Sequence, residues 1–125
     1  MASVELSTRR SDGQVIVTLS GELDVTDAAR VAAALTAVAA SGPQIIVDLA
    51  DLEFIDSSGL AALVRARRQA TNAGFDLLLA APTQQVRRML AITRLIDFFT
   101  VHDCVEEATT NPVLLNVTES WPDVA

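Results

Sequence analysis

The residues best placed to do chemistry are Asp56-Ser57-Ser58-Gly59-Leu60. They follow an apolar β-branched run, Ile45-Ile46-Val47-Asp48-Leu49, and a short acidic stretch from Ala50 to Ile55 that reads as a loop. The apolar run predicts a buried strand, and the residues after Ser57 are strong helix formers. Two hydroxyls and a carboxylate therefore gather at a predicted helix N-terminus. A hydroxyl in that place can cap the helix, attack a substrate or accept a phosphoryl group.

A serine nucleophile needs a base within reach and a pair of donors for the oxyanion. The turn is not Gly-x-Ser-x-Gly. His102 is the only histidine and falls at the end of a different predicted strand, where it reads as a surface residue with only Asp103 beside it. Asp48, Asp51, Glu53 and Asp56 crowd one strand end and offer the oxygen ligands that hard cations take. An aspartyl-phosphate receiver would also place acids there, but it wants a further acidic pair and a lysine, and this chain has no lysine. Asp48 is therefore expected to project from a strand edge or to bind backbone amides. No phosphate loop and no Gly-x-Gly-x-x-Gly occurs, which leaves only the general anion affinity of a helix N-terminus. Asp and Ser are good N-caps, each contributing about 1 kcal/mol over Ala. Only one cap is needed, and Gly59 is expected to open space beside the hydroxyls. On the residues alone, cap and functional site stay equally open.

The chain of 125 residues is sized for one domain, and half of its residues are hydrophobic. The formal net charge of -7 opposes nucleic acid and anionic lipid. Arg65, Arg67 and Arg68, and likewise Arg87 and Arg88, read as solvated helix faces, with a docking patch for an acidic partner as the alternative. Cys104 is alone, so no internal disulfide forms, which fits a reducing compartment. No signal peptide is expected, and no apolar run approaches the roughly 20 residues of a membrane span. A cytoplasmic protein is expected.

The hydrophobic pattern supplies the frame that must position Ser57. Val4 and Leu6 alternate as an edge strand, Arg10-Ser11-Asp12-Gly13 is a turn, and Val15 to Leu19 is a second strand. Gly21-Glu22-Leu23-Asp24 leads out of it. Ala28, Val31, Leu35 and Val38 mark a helix from Val25 to about Ala40, with Asp24 or Thr26 as cap and Ser41-Gly42-Pro43 as stop. A helix from Ser57 to about Asn72 buries Leu60, Leu63 and Val64 and ends at Ala73-Gly74. Phe75 to Ala80 is a strand. Pro82 opens a helix to about Ala91 that buries Val86, Leu90 and Met89. Phe98 to Val101 is a last strand, and Asp103 caps a final helix from near Cys104 with Val105 and Ala108 inward. The tail from Asn111, with Pro112 and Pro122, loses periodicity, and Trp121 is expected exposed or docked on the body. Alternating strands and helices predict an α/β fold: a mixed, mostly parallel sheet of about five strands with about four helices, joined by right-handed crossovers.

Three segments resemble the STAS superfamily, specifically the bacterial anti-sigma factor antagonists. They are Gly21-Glu22-Leu23-Asp24, the block from Asp48-Leu49 to Phe54-Ile55-Asp56-Ser57-Ser58-Gly59-Leu60, and Pro82 to Leu90 with Thr93-Arg94-Leu95. They fall in register from about residue 4 to 108. The resemblance implies a STAS domain over 1–110, a C-terminal tail over 111–125, and no catalysis, cofactor or metal. It implies that Ser57 is phosphorylated by an anti-sigma factor that is a serine kinase. The unphosphorylated form would bind that kinase and release a sigma factor; phosphorylation would end binding, and a phosphatase would reset it. Asp24, Asp56, Ser57, Ser58 and Gly59 would form the partner surface, with no nucleic acid and no membrane involved. Arg94 departs from the glycine common in the family, and only a local effect is expected there. The alternatives are a STAS subunit of a stressosome or lipid-transport assembly, the former without its usual extra N-terminal domain, and a hydrolase or phosphotransferase using Ser57 or His102.

Overall fold

The computed structural model describes residues 3–11, 13–40 and 44–109. In chain order these form β1 (Val4–Ser11), β2 (Gln14–Leu23), α1 (Val25–Ala40), β3 (Gln44–Ile55), α2 (Ser57–Asn72), β4 (Leu77–Ala80), α3 (Gln84–Ile92), a 3-10 turn (Leu95–Asp97) and β5 (Thr100–His102). A short helix, α4, covers 105–109. The strands lie side by side in sequence order. β1 and β2 pair antiparallel, and β2 through β5 pair parallel. The mixed, mostly parallel α/β sheet with four helices matches the reading of the sequence. The expected turn at Asp12, the helix stop at Ser41-Gly42-Pro43 and the tail with Pro112, Trp121 and Pro122 lie outside the described residues.

Both faces of the central strands are covered, which is why they read as unbroken apolar runs. Val15, Val17, Ile45, Val47, Leu77 and Leu79 face α1, α2 and α3. Ile16, Ile46 and Leu78 face the other way, against Val105 and Ala108 of α4. Three crossovers on one face are what successive parallel neighbours joined with one hand require. Each fully buried Leu or Ile contributes roughly 1.5–3 kcal/mol relative to an exposed one. The first two helices touch through Ala28, Ala32 and Ala62, small enough to let them approach closely.

Several boundaries move from their expected places. The acidic stretch from Ala50 to Ile55 is not a loop: β3 continues through it, and Gly21 to Leu23 belong to β2. The two strands stay paired out to Leu23 opposite Ile55, with register shifts near Thr18/Ser20 and Gly21/Glu22. These bulges replace two-residue alternation by burial at Leu49, Leu52 and Ile55, so the strand signal is erased from the sequence. β4 begins at Leu77, not Phe75, because the Phe75 N–H still closes α2 on the Ala70 carbonyl at 2.8 Å, with Gly74 at φ 89°. β5 spans Thr100 to His102 instead of Phe98 to Val101, since the 3-10 turn occupies the residues just before. Pro82 precedes the N-cap Thr83 instead of opening α3. The Asp103 carboxylate binds Arg87 at 2.8 Å and does not cap α4; the Asp103 N–H donates to Glu107.

Two residues the pattern could not place also shape the fold. Arg94 sits at φ 64°, a left-handed conformation that costs a residue bearing a Cβ about 1–2 kcal/mol and explains why glycine suits the position. Asp27 is buried near the start of α1, where it accepts from the Ser3 N–H and hydroxyl, both at 3.0 Å. The Ser3 backbone N–H, opposed by burial and assisted by the Ser3 hydroxyl and Arg30, holds the Asp27 carboxyl below its ordinary range. Arg30 also donates to the Val4 carbonyl at 2.9 Å, so the start of β1 is tied to α1.

Candidate functional site

The site forms where β2 and β3 end together. Leu23 and Ile55 are register partners, and each is followed by an aspartate that starts a helix. Asp24 accepts from the Thr26 N–H through its side chain at 3.0 Å and from the Ala28 N–H through its carbonyl at 3.0 Å. Asp56 is the N-cap of α2, in extended conformation, and accepts from the Gly59 N–H at 3.1 Å. Its own N–H donates to the Leu23 carbonyl at 3.2 Å. The starts of α1 and α2 are thereby held side by side at one end of the sheet.

That geometry resolves the ambiguity of the two serines. Asp56 does the capping. Ser57 occupies the first helical position, exposed, and its hydroxyl makes no hydrogen bond with any described side chain or backbone group. Ser58 is half-buried. Gly59 is buried, and a Cβ there would stand 2.7 Å from Ile55 Cγ1, 2.8 Å from Leu23 Cγ and 2.9 Å from the Leu23 carbonyl oxygen. Its missing side chain makes room for the strand ends, not for the hydroxyls as expected. The first turn of α2 can then sit directly on the sheet.

Around Ser57 the surface is acidic and partly apolar. Glu22, Asp51 and Glu53 are exposed at this end of β2 and β3. Val25 is 73% exposed and Phe54 39%, and Phe54 is the register partner of Glu22. Exposed large apolar side chains beside charge are features of a protein-binding surface more than of a closed catalytic cleft.

Two further residues shape the site, and neither was singled out from the sequence. Beyond Asp48 the outer half of β3 has no β4 beside it. Thr83 Oγ1 instead donates to the Leu52 carbonyl at 2.9 Å. The Gln85 carboxamide takes the Ile55 N–H at 2.9 Å and donates to the Ile55 carbonyl at 3.1 Å. Leaving such buried backbone groups unpaired costs about 1–3 kcal/mol each. The only hint in the sequence is that both residues lie in the third segment of resemblance.

The other candidates stand apart. His102 is buried at the end of β5, correcting its reading as a surface residue. Its Nδ1 lies 3.4 Å from Glu107 Oε1, and β4 separates its strand from β3, the strand that leads to Ser57. Asp48 accepts from the Ala50 N–H at 3.1 Å, a backbone role. Among the described residues no group of three or more His, Cys, Asp or Glu is placed to hold a metal ion. No helix among them is long and apolar enough to cross a membrane. Arg67 is not part of a solvated face: it stacks 4.6 Å from the Phe98 ring centroid and lies 3.3 Å from Asp76. Arg65 and Arg68 are exposed.

Comparison with known proteins places the chain in a family. The family model described as the STAS domain matches residues 5–108. The anti-sigma-B factor antagonist of Bacillus subtilis is 24% identical over 99 residues, covering 79% of this chain and 91% of that protein. A relative from Thermotoga neapolitana is 32% identical over 65 residues, and the match spans 52% of this chain and 58% of that relative's length. The crystal structure of an anti-sigma factor antagonist from Mycobacterium paratuberculosis superposes with a TM-score of 0.80 at 27% identity, covering 87% of this chain and 93% of that one.

Proposed function

Because this chain belongs to the STAS domain family, we propose that it is an anti-sigma factor antagonist, a binding protein and not an enzyme. In this reading its unphosphorylated form binds a cognate anti-sigma factor, itself a serine kinase, and so frees a sigma factor. Phosphorylation of Ser57 ends that binding, a phosphatase restores it, and the cycle runs in the cytoplasm. The observation that carries the reading is the division of labour at the α2 N-terminus: Asp56 supplies the cap, so the exposed Ser57 hydroxyl is structurally uncommitted and accessible to a kinase. The names of its relatives support the class of partner.

A phosphate on Ser57 brings about -1.5 to -2 charges. At a helix N-terminus that charge suits the dipole, so it leaves the fold intact. It acts on the interface, placing a hydrated dianion where a partner must pack beside Val25 and Phe54. A loss of about 3 kcal/mol there weakens binding more than a hundredfold.

The test is incubation with candidate anti-sigma kinases and ATP, followed by phosphosite mapping and binding measurements. Phosphate is expected on Ser57 alone. Ser57→Ala should bind the kinase and resist phosphorylation; Ser57→Asp should lose binding at an unchanged melting temperature. Normal binding by a folded Ser57→Asp protein, or phosphate on Ser58, would sink the reading as stated. A wild-type protein that binds no anti-sigma kinase would instead favour a subunit role in a stressosome or lipid-transport assembly.

A further inference from the structure

The third segment of resemblance, Pro82 to Leu90, is remote in sequence from the phosphorylation switch, yet two of its side chains end on the strand that carries the switch. β4 stops at Ala80, opposite Asp48, while β3 runs on to Ile55 with only β2 paired to it. On the unpaired side, Thr83 Oγ1 meets the Leu52 carbonyl, and the Gln85 amide meets both the N–H and the carbonyl of Ile55. On the opposite side, the next N–H, that of Asp56, donates to the Leu23 carbonyl. Ile55 itself is fully buried. The chain entering the cap is thus held from both edges, Ile55 by Gln85 on one and Asp56 by Leu23 on the other, and the Asp56 side chain sets the start of α2 on which Ser57 is displayed.

We propose that Gln85 is a positioning residue for the Ser57 switch, its carboxamide acting as a substitute strand that holds Ile55 and Asp56 in the geometry that presents Ser57 to its partner. This rests on the partner-switching reading above. At neutral pH a primary amide offers an acceptor and a donor in one plane at that spacing, and an ionised carboxylate does not. A carboxylate accepts from the Ile55 N–H but faces the carbonyl with a lone pair; an aliphatic chain does neither. Thr83 does the same for Leu52 with one bond, three residues further from the switch.

The experiment compares Gln85→Leu, Gln85→Glu and a control, Arg30→Ala, which loosens the tie between β1 and α1 instead. Amide hydrogen exchange is read on the unliganded full chain, and affinity for the anti-sigma factor is read on the same proteins. Gln85→Leu should speed exchange at Ile55, Asp56 and Gly59 about tenfold or more and weaken binding by a similar factor. Arg30→Ala should leave both unchanged, even with an equal fall in melting temperature. Gln85→Glu should behave like Gln85→Leu at neutral pH. It should recover protection relative to wild type once acidified far enough to protonate the carboxyl, where the acid regains a donor and an acceptor. A merely structural role would not produce that pH profile. Unchanged exchange at Asp56 and Gly59 in Gln85→Leu would overturn the proposal. So would faster exchange with wild-type affinity, because the lock would then hold the strand without positioning Ser57. If Gln85→Leu does not fold, the profile of Gln85→Glu alone decides. A wild-type protein that binds no anti-sigma factor overturns the functional reading instead, and the exchange profile still decides whether Gln85 holds the rim.

Discussion

The two halves of β3 are built differently. From Ile45 to Asp48 the strand lies between β2 and β4 in regular parallel register, and Ile45, Ile46 and Val47 are completely buried between α1–α3 on one face and α4 on the other. From Leu49 to Ile55 it keeps β2 through bulges, loses β4, and is finished on that side by Thr83 and Gln85. The inner half packs with both faces covered and exposes almost nothing. The outer half buries only every third residue and carries Asp51, Glu53 and Phe54 into solvent before handing the chain to Asp56. One strand therefore does two jobs. Its regular half anchors the sheet, and its irregular half projects past the sheet to hold the switch. Bulges and side-chain substitutes for a missing strand are what a ladder uses when it must extend beyond its neighbours.

The division can be broken at its strong end first. Ile45→Ala removes a fully buried side chain from the inner half and should cost about 2–5 kcal/mol in chemical denaturation. In protein kept folded, it should leave Ser57 phosphorylation unaltered. A fall in phosphorylation at full folding would mean the halves are coupled, not separate. Gly59→Ala should cost about 1–3 kcal/mol, because the new methyl meets Ile55 and Leu23 in an already filled space. Unlike Ile45→Ala, it should also weaken partner binding, since the first turn of α2 must lift. Wild-type binding by Gly59→Ala would show that the partner does not read the seating of that turn.

Asp56→Ala comes next, with an expected cost of about 1 kcal/mol for the lost bond to the Gly59 N–H. Ser57→Ala should be neutral in the same thermal melts. Equal losses for the two would mean that the hydroxyl shares the cap. The smallest effect belongs to a site outside both halves. Arg94→Gly relieves a left-handed residue and should stabilise by up to about 1 kcal/mol, the gain being trimmed by the freedom glycine adds to the unfolded chain. Binding should not change. An altered affinity would bring the segment after α3 into the site.

The parts of the fold that read directly from residues are those with one dominant period. Val31 and Leu35, or Leu60 and Leu63, recur at helical spacing and are fully or nearly fully buried, as expected. Ile45 to Leu49 announced a covered strand because both of its faces are apolar. The outer half of β3 did not announce itself. Two bulges turn its burial into a three-residue beat that resembles neither strand nor helix, so Ala50 to Ile55 reads as an acidic loop. The buried state of His102 was equally hidden, since a single polar residue at the end of a short strand carries no burial signal of its own.

The same line runs through the site. The order of residues alone put a carboxylate and two hydroxyls at the start of a helix, because strand propensity, helix propensity and cap chemistry are local and each acts over a few residues. Which of the three polar groups caps, which is exposed, why position 59 is glycine and what completes the edge of β3 were decided only in three dimensions. Those answers depend on Leu23, Thr83 and Gln85, which are brought to Asp56 by the parallel order of the strands and by the early end of β4. Pairing across a sheet is a long-range contact, and no local pattern in the chain encodes which side chain will stand in for a strand that stops short.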